Sequence, residues 1–191
     1  LTLFKNRTLD GKLVDEVKDL IHGENSDALM RLVARMRAAD VADLIEHLSG
    51  DERLYIFRLL EPEGAGEVLV EIEPPVQERI VKDLDNEVIS EIVEELDSDD
   101  AADLVGDLPP ERAKEVIESV GDEVSEELEK LLPYPDDTAG GLMALEFVAV
   151  MADATVGDAI ESIRQKREEV ENLYYIWVTD AFERLVGVIS L

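Results

Sequence analysis

The chain has 191 residues, with 47 Asp and Glu against 18 Lys and Arg, a formal charge of −29, and no cysteine. That balance excludes a nucleic-acid binder, which needs a basic face toward phosphate, and docking on an anionic membrane surface. The missing cysteines exclude a disulfide framework and thiolate metal sites, and they fit a reducing cytosol. With 46% hydrophobic residues the chain reads as a folded acidic protein, not a solvating tail. No apolar run reaches the roughly 18 residues that span a bilayer, and no signal peptide is visible. The last residues, 185–191, form an apolar run, so the chain reads as an excised soluble piece of a longer protein.

Residues 1–24 form a leading segment with one helix expected over 10–22. The sequon Asn6-Arg-Thr8 carries no meaning in a cytosolic segment. From 25 to 133 a pulse of twelve residues takes over. Steps of twelve from Leu44 fall on Ile56, Val68, Ile80, Ile92, Leu104, Val116 and Leu128. Steps from Leu48 fall on Leu60, Ile72, Leu84, Leu96, Leu108, Val120 and Leu132. Within each unit the apolar positions i, i+1 and i+4 describe one face of a helix. Breakers recur in constant phase at Gly50, Pro62, Pro74, Asn86, Ser98, Pro110 and Asp122, and an acid follows all but one of them. A breaker followed by an acid is a helix start. The spacing predicts about eight short helices between 40 and 132. Helices that short are unstable alone, so they must stack as a helical solenoid.

The position before the first apolar residue of each unit reads, at 24-residue spacing, Asp43, Glu67, Glu91 and Glu115. These carboxylates are expected at equivalent edges between the buried and wet faces. The alternate units read Tyr55, Arg79, Asp103 and Glu127. Between Asp85 and Glu129 there are 18 acids and two bases, Arg112 and Lys114. Most of this charge is a solvated surface. The sharper reading is a divalent-cation surface, because Mg2+ takes one or two carboxylates and keeps several waters. Asp99 and Asp103 lie i, i+4 at the start of a helix and so share a face. The stretch 97–100 fails as a calcium loop, since Ala101 and Ala102 stand where a ligand and a glycine are needed.

The pulse stops at Pro133, and a turn follows over 138–143. Residues 146–150 and 174–178 read as strands. A helix is expected from Val156 to about Arg167, with Asp153-Ala-Thr155 as its cap signal. A hairpin turn over 179–184 leads to a returning strand over 185–191, giving β-α-β-β. Trp177 is expected in the core. Gly140-Gly141 is read as a tight turn, with a small anion nest as its alternative. His22 and His47 are helix-face residues, and no catalytic motif is present. The chain is not read as an enzyme.

Val148-Ala-Val150, Thr155-Val-x-x-Ala159, Tyr175-Ile-Trp-Val178 with Asp180, and 185–191 resemble the first half of a CBS module. Ala38-Ala-Asp-Val-Ala-Asp-Leu44, Asp99-Asp-Ala-Ala-Asp-Leu104 and above all Tyr134-Pro-Asp-Asp-Thr-Ala-Gly-Gly-Leu-Met143 resemble the MgtE-type magnesium transporters. One departure stands out: Ala144-Leu-Glu146 follows Met143 where that family usually has Thr-Pro-Glu. The resemblance implies a mainly α fold, a right-handed superhelix of short stacked helices followed by a partial α+β CBS domain. It implies a helical N domain over 25–133, and a linker with an incomplete first CBS domain over 134–191.

The resemblance further implies a cytosolic regulatory region of a magnesium transporter in the bacterial inner membrane. There, Mg2+ would bridge the acidic N domain to the CBS domains and hold the pore shut. Carried over by motif, the metal ligands are Glu67, Asp99 and Asp103, with Asp100 as a neighbour. Asp136 and Asp137 are weaker candidates. The implied partners are Mg2+, the remaining CBS domains, a connecting helix and a transmembrane domain, in a homodimeric full-length protein. The alternative is a protein-interaction scaffold built like parts of the flagellar motor switch.

Overall fold

The computed structural model describes residues 11–135, 137–166, 170 and 174–191. The sequon at Asn6, the expected helix end at Arg167 and the linker Asp136 lie outside the described residues. The chain divides into two compact units, one of residues 1–96 and 100–133, the other of 97–99 and 134–191. Among the described residues no helix is long and apolar enough to cross a membrane.

Short helices build the first unit, except that Ser98 and Asp99 at the start of α8 fall in the second: α1 (Gly11–His22), α2 (Ser26–Val33), α3 (Ala38–Glu46), α4 (Gly50–Phe57), α5 (Pro62–Val70), α6 (Pro74–Asp83), α7 (Asn86–Val93), α8 (Ser98–Gly106), α9 (Pro110–Ser119) and α10 (Asp122–Leu131). From α4 to α10 every helix begins on the breaker of its twelve-residue unit. Proline lacks an N–H that the first turn leaves unbonded anyway. Eight helices, α3 to α10, fill the span 38–131 where the pulse runs. The first aliphatic series is buried throughout (Leu44, Ile56, Val68, Ile80, Ile92, Leu104, Val116 and Leu128), while the second is mixed, with Leu48, Ile72, Leu84, Leu108 and Val120 buried and Leu60, Leu96 and Leu132 half-buried.

Packing runs between alternate helices: α3 on α5, α5 on α7, α7 on α9, and α4 on α6. The structural repeat is therefore two helices and 24 residues, double the hydrophobic pulse. Polar groups stitch neighbouring helices and successive repeats together. Arg53 donates to the carbonyls of Ile45 (3.0 Å) and Glu46 (3.0 Å), and Gln77 repeats this on Leu69 (3.2 Å). Glu46 accepts the backbone N–H of Glu73 (2.9 Å), and Glu94 accepts that of Gly121 (2.8 Å). These bonds satisfy the groups that every short helix leaves open at its ends. Ala101 and Val70 stand at the corresponding phases and carry no such group.

The second unit holds β1 (Ala149–Met151), α11 (Val156–Gln165), β2 (Tyr175–Thr179) and β3 (Leu185–Ser190). β1 pairs parallel with β2 (Ala149 opposite Trp177), and β2 pairs antiparallel with β3 (Trp177 opposite Val188). The β-α-β-β order is as expected, but β1 starts three residues later than predicted. Glu146 faces Ser98 instead of entering the sheet. The small core is Val148, Val150, Ala159 and Ile176. Trp177 is not in it. Strand alternation sends Ile176 inward and places Tyr175 and Trp177 on the opposite face, where Trp177 is 37% exposed. Among the described residues no glycine has a positive φ, so the Gly140-Gly141 pair forms no αR-αL nest. The backbone at Gly140 instead lies against the Tyr134 ring, closely enough that a Cβ would collide with it.

Candidate functional site

The carboxylates singled out by 24-residue spacing fall on successive packed helices. Asp43 lies on α3, Glu67 on α5, Glu91 on α7 and Glu115 on α9, and all four are exposed. A 24-residue step returns the chain to the same place on the next helix of the row, so the column follows from the two-helix repeat. Glu115 is engaged: its Oε2 accepts from Asn86 Nδ2 at 2.5 Å, and Asn86 Oδ1 in turn accepts from Arg112 Nε at 2.6 Å.

Glu67 follows Gly66, which packs tightly against the end of the next helix in the row. A Cβ on Gly66 would come within 2.9 Å of Leu96 Cδ2 and 3.7 Å of Ile92 Cγ2. A bare Cα there lets α5 lie tightly against the end of α7. Asp99, Asp100 and Asp103 all belong to α8, with Asp99 and Asp100 half-buried and Asp103 exposed. Asp99 and Asp100 sit in the first turn, where the helix dipole favours negative charge, and Asp103 lies one turn further on. Asp137 is exposed in the turn after α10. Among the described residues no three carboxylates or histidines come together as a group able to hold a metal ion.

Two functional-looking acids were not anticipated. Glu146 Oε1 accepts the Ser98 backbone N–H at 3.0 Å, and its Oε2 accepts the Ser98 hydroxyl at 2.9 Å. Ser98 Oγ accepts from Leu145 N at 2.9 Å, and Ser98 is 3% exposed. Partners 48 residues apart leave no periodic trace, and the only signal was the unusual Ala144-Leu-Glu146 step. Glu52 is a buried acid at 9% exposure. The Ser49 backbone N–H, donating to it at 2.8 Å, holds its carboxyl below the usual range against the opposing effect of burial. His22 Nε2 lies 3.3 Å from Glu52 Oε1. The Ser49-x-x-Glu52 capping pattern was the available signal. His47 caps α3, its Nδ1 within 2.8 Å of the Asp43 carbonyl.

Comparison with known proteins bears on the family and the fold. The family model of the MgtE intracellular N domain matches residues 36–137. A magnesium transporter MgtE of Thermus thermophilus is 32% identical over 186 residues, covering 96% of this chain and 41% of that protein. A magnesium transporter MgtE of Enterococcus faecalis is 42% identical over 69 residues, covering 36% of this chain and 15% of that protein. The chain thus spans less than half the length of these relatives. The crystal structure of the cytosolic domain of the Mg2+ channel MgtE in complex with ATP superposes with a TM-score of 0.85 at 31% identity. That match covers 93% of this chain and 73% of the other.

Proposed function

This chain belongs to the MgtE family of magnesium transporters through its intracellular N domain, and from that premise we propose that it is a cytosolic Mg2+-sensing region of such a transporter. The observation that supports the reading is the column of exposed carboxylates on α3, α5, α7 and α9, together with the carboxylates of α8. The proposed ligands are Glu67, Asp99 and Asp103, with Asp100 beside them and Asp136 and Asp137 as weaker candidates. Mg2+ would bridge this surface to CBS domains, offset the mutual repulsion of the acids and favour a closed pore. When Mg2+ falls, repulsion between unscreened carboxylates would drive the domains apart. In this reading the chain lies on the cytosolic side of the membrane. Its partners are the remaining CBS domains, a connecting helix and the transmembrane domain of a dimer.

The test is thermal unfolding of this chain in MgCl2 against NaCl of matched ionic strength. Binding at ten times Kd stabilises by about 1.4 kcal/mol, or roughly 3 to 6 °C in Tm for a chain of this size. The double variant Asp99→Ala, Asp103→Ala is expected to lose most of that difference. Equal Tm values in the two salts would sink the sensing role for this chain.

A further inference from the structure

Between α6 and the α8–α9 corner the array leaves a cleft of about 420 Å3, within the range of small-ligand pockets. Its apolar lining is Val81 on α6 with Leu104 and Leu108 opposite, each almost fully buried. The polar groups around this lining divide into engaged and unengaged ones. Arg112 is engaged: it donates to Asn86 Oδ1 (2.6 Å) and to the carbonyls of Val81 (3.0 Å) and Leu84 (2.7 Å). Its guanidinium caps the end of α6 and forms part of the wall. Gln77 gives its amide N–H to Leu69, which leaves its side-chain oxygen as an acceptor. Glu78 on α6 and Asp107 after α8 are exposed, and among the described residues neither side chain has a hydrogen bond or ion pair. Among the described residues lining the cleft, Lys82 has the only unengaged cationic donor, on a flexible stem that can swing to solvent.

The unengaged acceptors are thus two carboxylates and an amide oxygen on opposite walls, with aliphatic surface between them. An anion would meet both carboxylates and the field of a chain at −29. A compact hydrated metal ion would gain nothing from the aliphatic lining. We infer that the cleft binds a short aliphatic diamine or polyamine. The methylene chain lies along Val81, Leu104 and Leu108, and the ammonium groups donate to Glu78 and Asp107. Asp107 stands one turn beyond Asp103, but none of the proposed Mg2+ ligands lines the cleft.

Putrescine and spermidine titrations at fixed ionic strength, followed through the methyl resonances of Val81, Leu104 and Leu108, test the inference. Saturable shifts confined to these methyls are expected. Glu78→Gln with Asp107→Asn should weaken binding by roughly tenfold or more. Glu126→Gln with Glu129→Gln removes the same charge from α10 and should leave affinity unchanged. Lys82→Ala should tighten binding. Equal losses in the two double variants would mean that the amines act only as diffuse counter-ions, and the inference would fall. Matching methyl shifts from MgCl2 would overturn it equally.

Discussion

The two units of this chain handle apolar surface in opposite ways. In the helical array Val70 is the one large hydrophobic among the described residues that is exposed, whereas the second unit exposes Phe147, Val156, Trp177, Phe182, Leu185, Val186 and Val188 among others. The array's contacts are made with the adjacent repeats, so each added repeat covers the one before it. A three-stranded sheet has two faces and one helix. Ile176 and Val150 are covered, while the Tyr175 and Trp177 face is not. Local stacking closes a core piecemeal, and a sheet closes only when a whole second layer is present.

Core truncation gives the largest test of that contrast. Phe57→Ala, at a site 2% exposed, should cost about 3 to 5 kcal/mol in urea unfolding. Leu185→Ala, at 62% exposure, should stay within about 0.5 kcal/mol. Comparable losses at the two sites would erase the distinction between the units. Next is a pair of glycines in α5. A Cβ on Gly64 would have nothing within 4 Å, so Gly64→Ala should stabilise by up to about 1 kcal/mol through helix propensity. Gly66→Ala meets the Leu96 side chain, which must shift, and should fall short of the Gly64→Ala gain by about 1 kcal/mol. If both variants raise Tm alike, the close approach of α5 to α7 is wrong.

Thr155→Ala should remove about 1 kcal/mol from the second unit, because Thr155 Oγ1 accepts from Asp158 N and Asp158 Oδ2 accepts from Thr155 N. Faster amide hydrogen exchange confined to α11 is the expected signature, and faster exchange spread through the array would count against it. The smallest effect concerns pH. The folded carboxyl of Glu52 is depressed below its ordinary 4.5. Its contribution is therefore fully present above that value and lost as pH falls through the lower folded value. Glu52→Gln should flatten the acid limb of the stability curve below pH 4.5. An unchanged limb would place the acid sensitivity elsewhere.

Much of the array was legible because its signals are local. Pro62, Pro74 and Pro110 mark helix starts by chemistry that needs no partner, and the aliphatic pulse marks the buried stripe of each helix. The carboxylate column was legible for the same reason, since equal spacing on equal helices gives equal edges. Trp177 was misplaced because residue type says which side chain prefers a core, not which face of a strand receives a cover. Glu146 was hidden because its partner Ser98 is distant along the chain. The cleft beside Arg112 was hidden too: a gap between helices is a property of how they pack, and Val81, Leu104 and Leu108 belong to the same aliphatic stripes as their well-covered neighbours.

The amino-acid sequence alone determined the helix starts, the stripe that each helix buries and the excess of negative charge, because propensity, capping and hydrophobic period act within a few residues. Only the tertiary structure decided that two helices make one repeat, that Gly66 lies tightly against Leu96, that Glu146 satisfies the start of α8, and which carboxylates are engaged and which stand open. Those outcomes depend on distances between side chains far apart in the chain, and no local spacing encodes them.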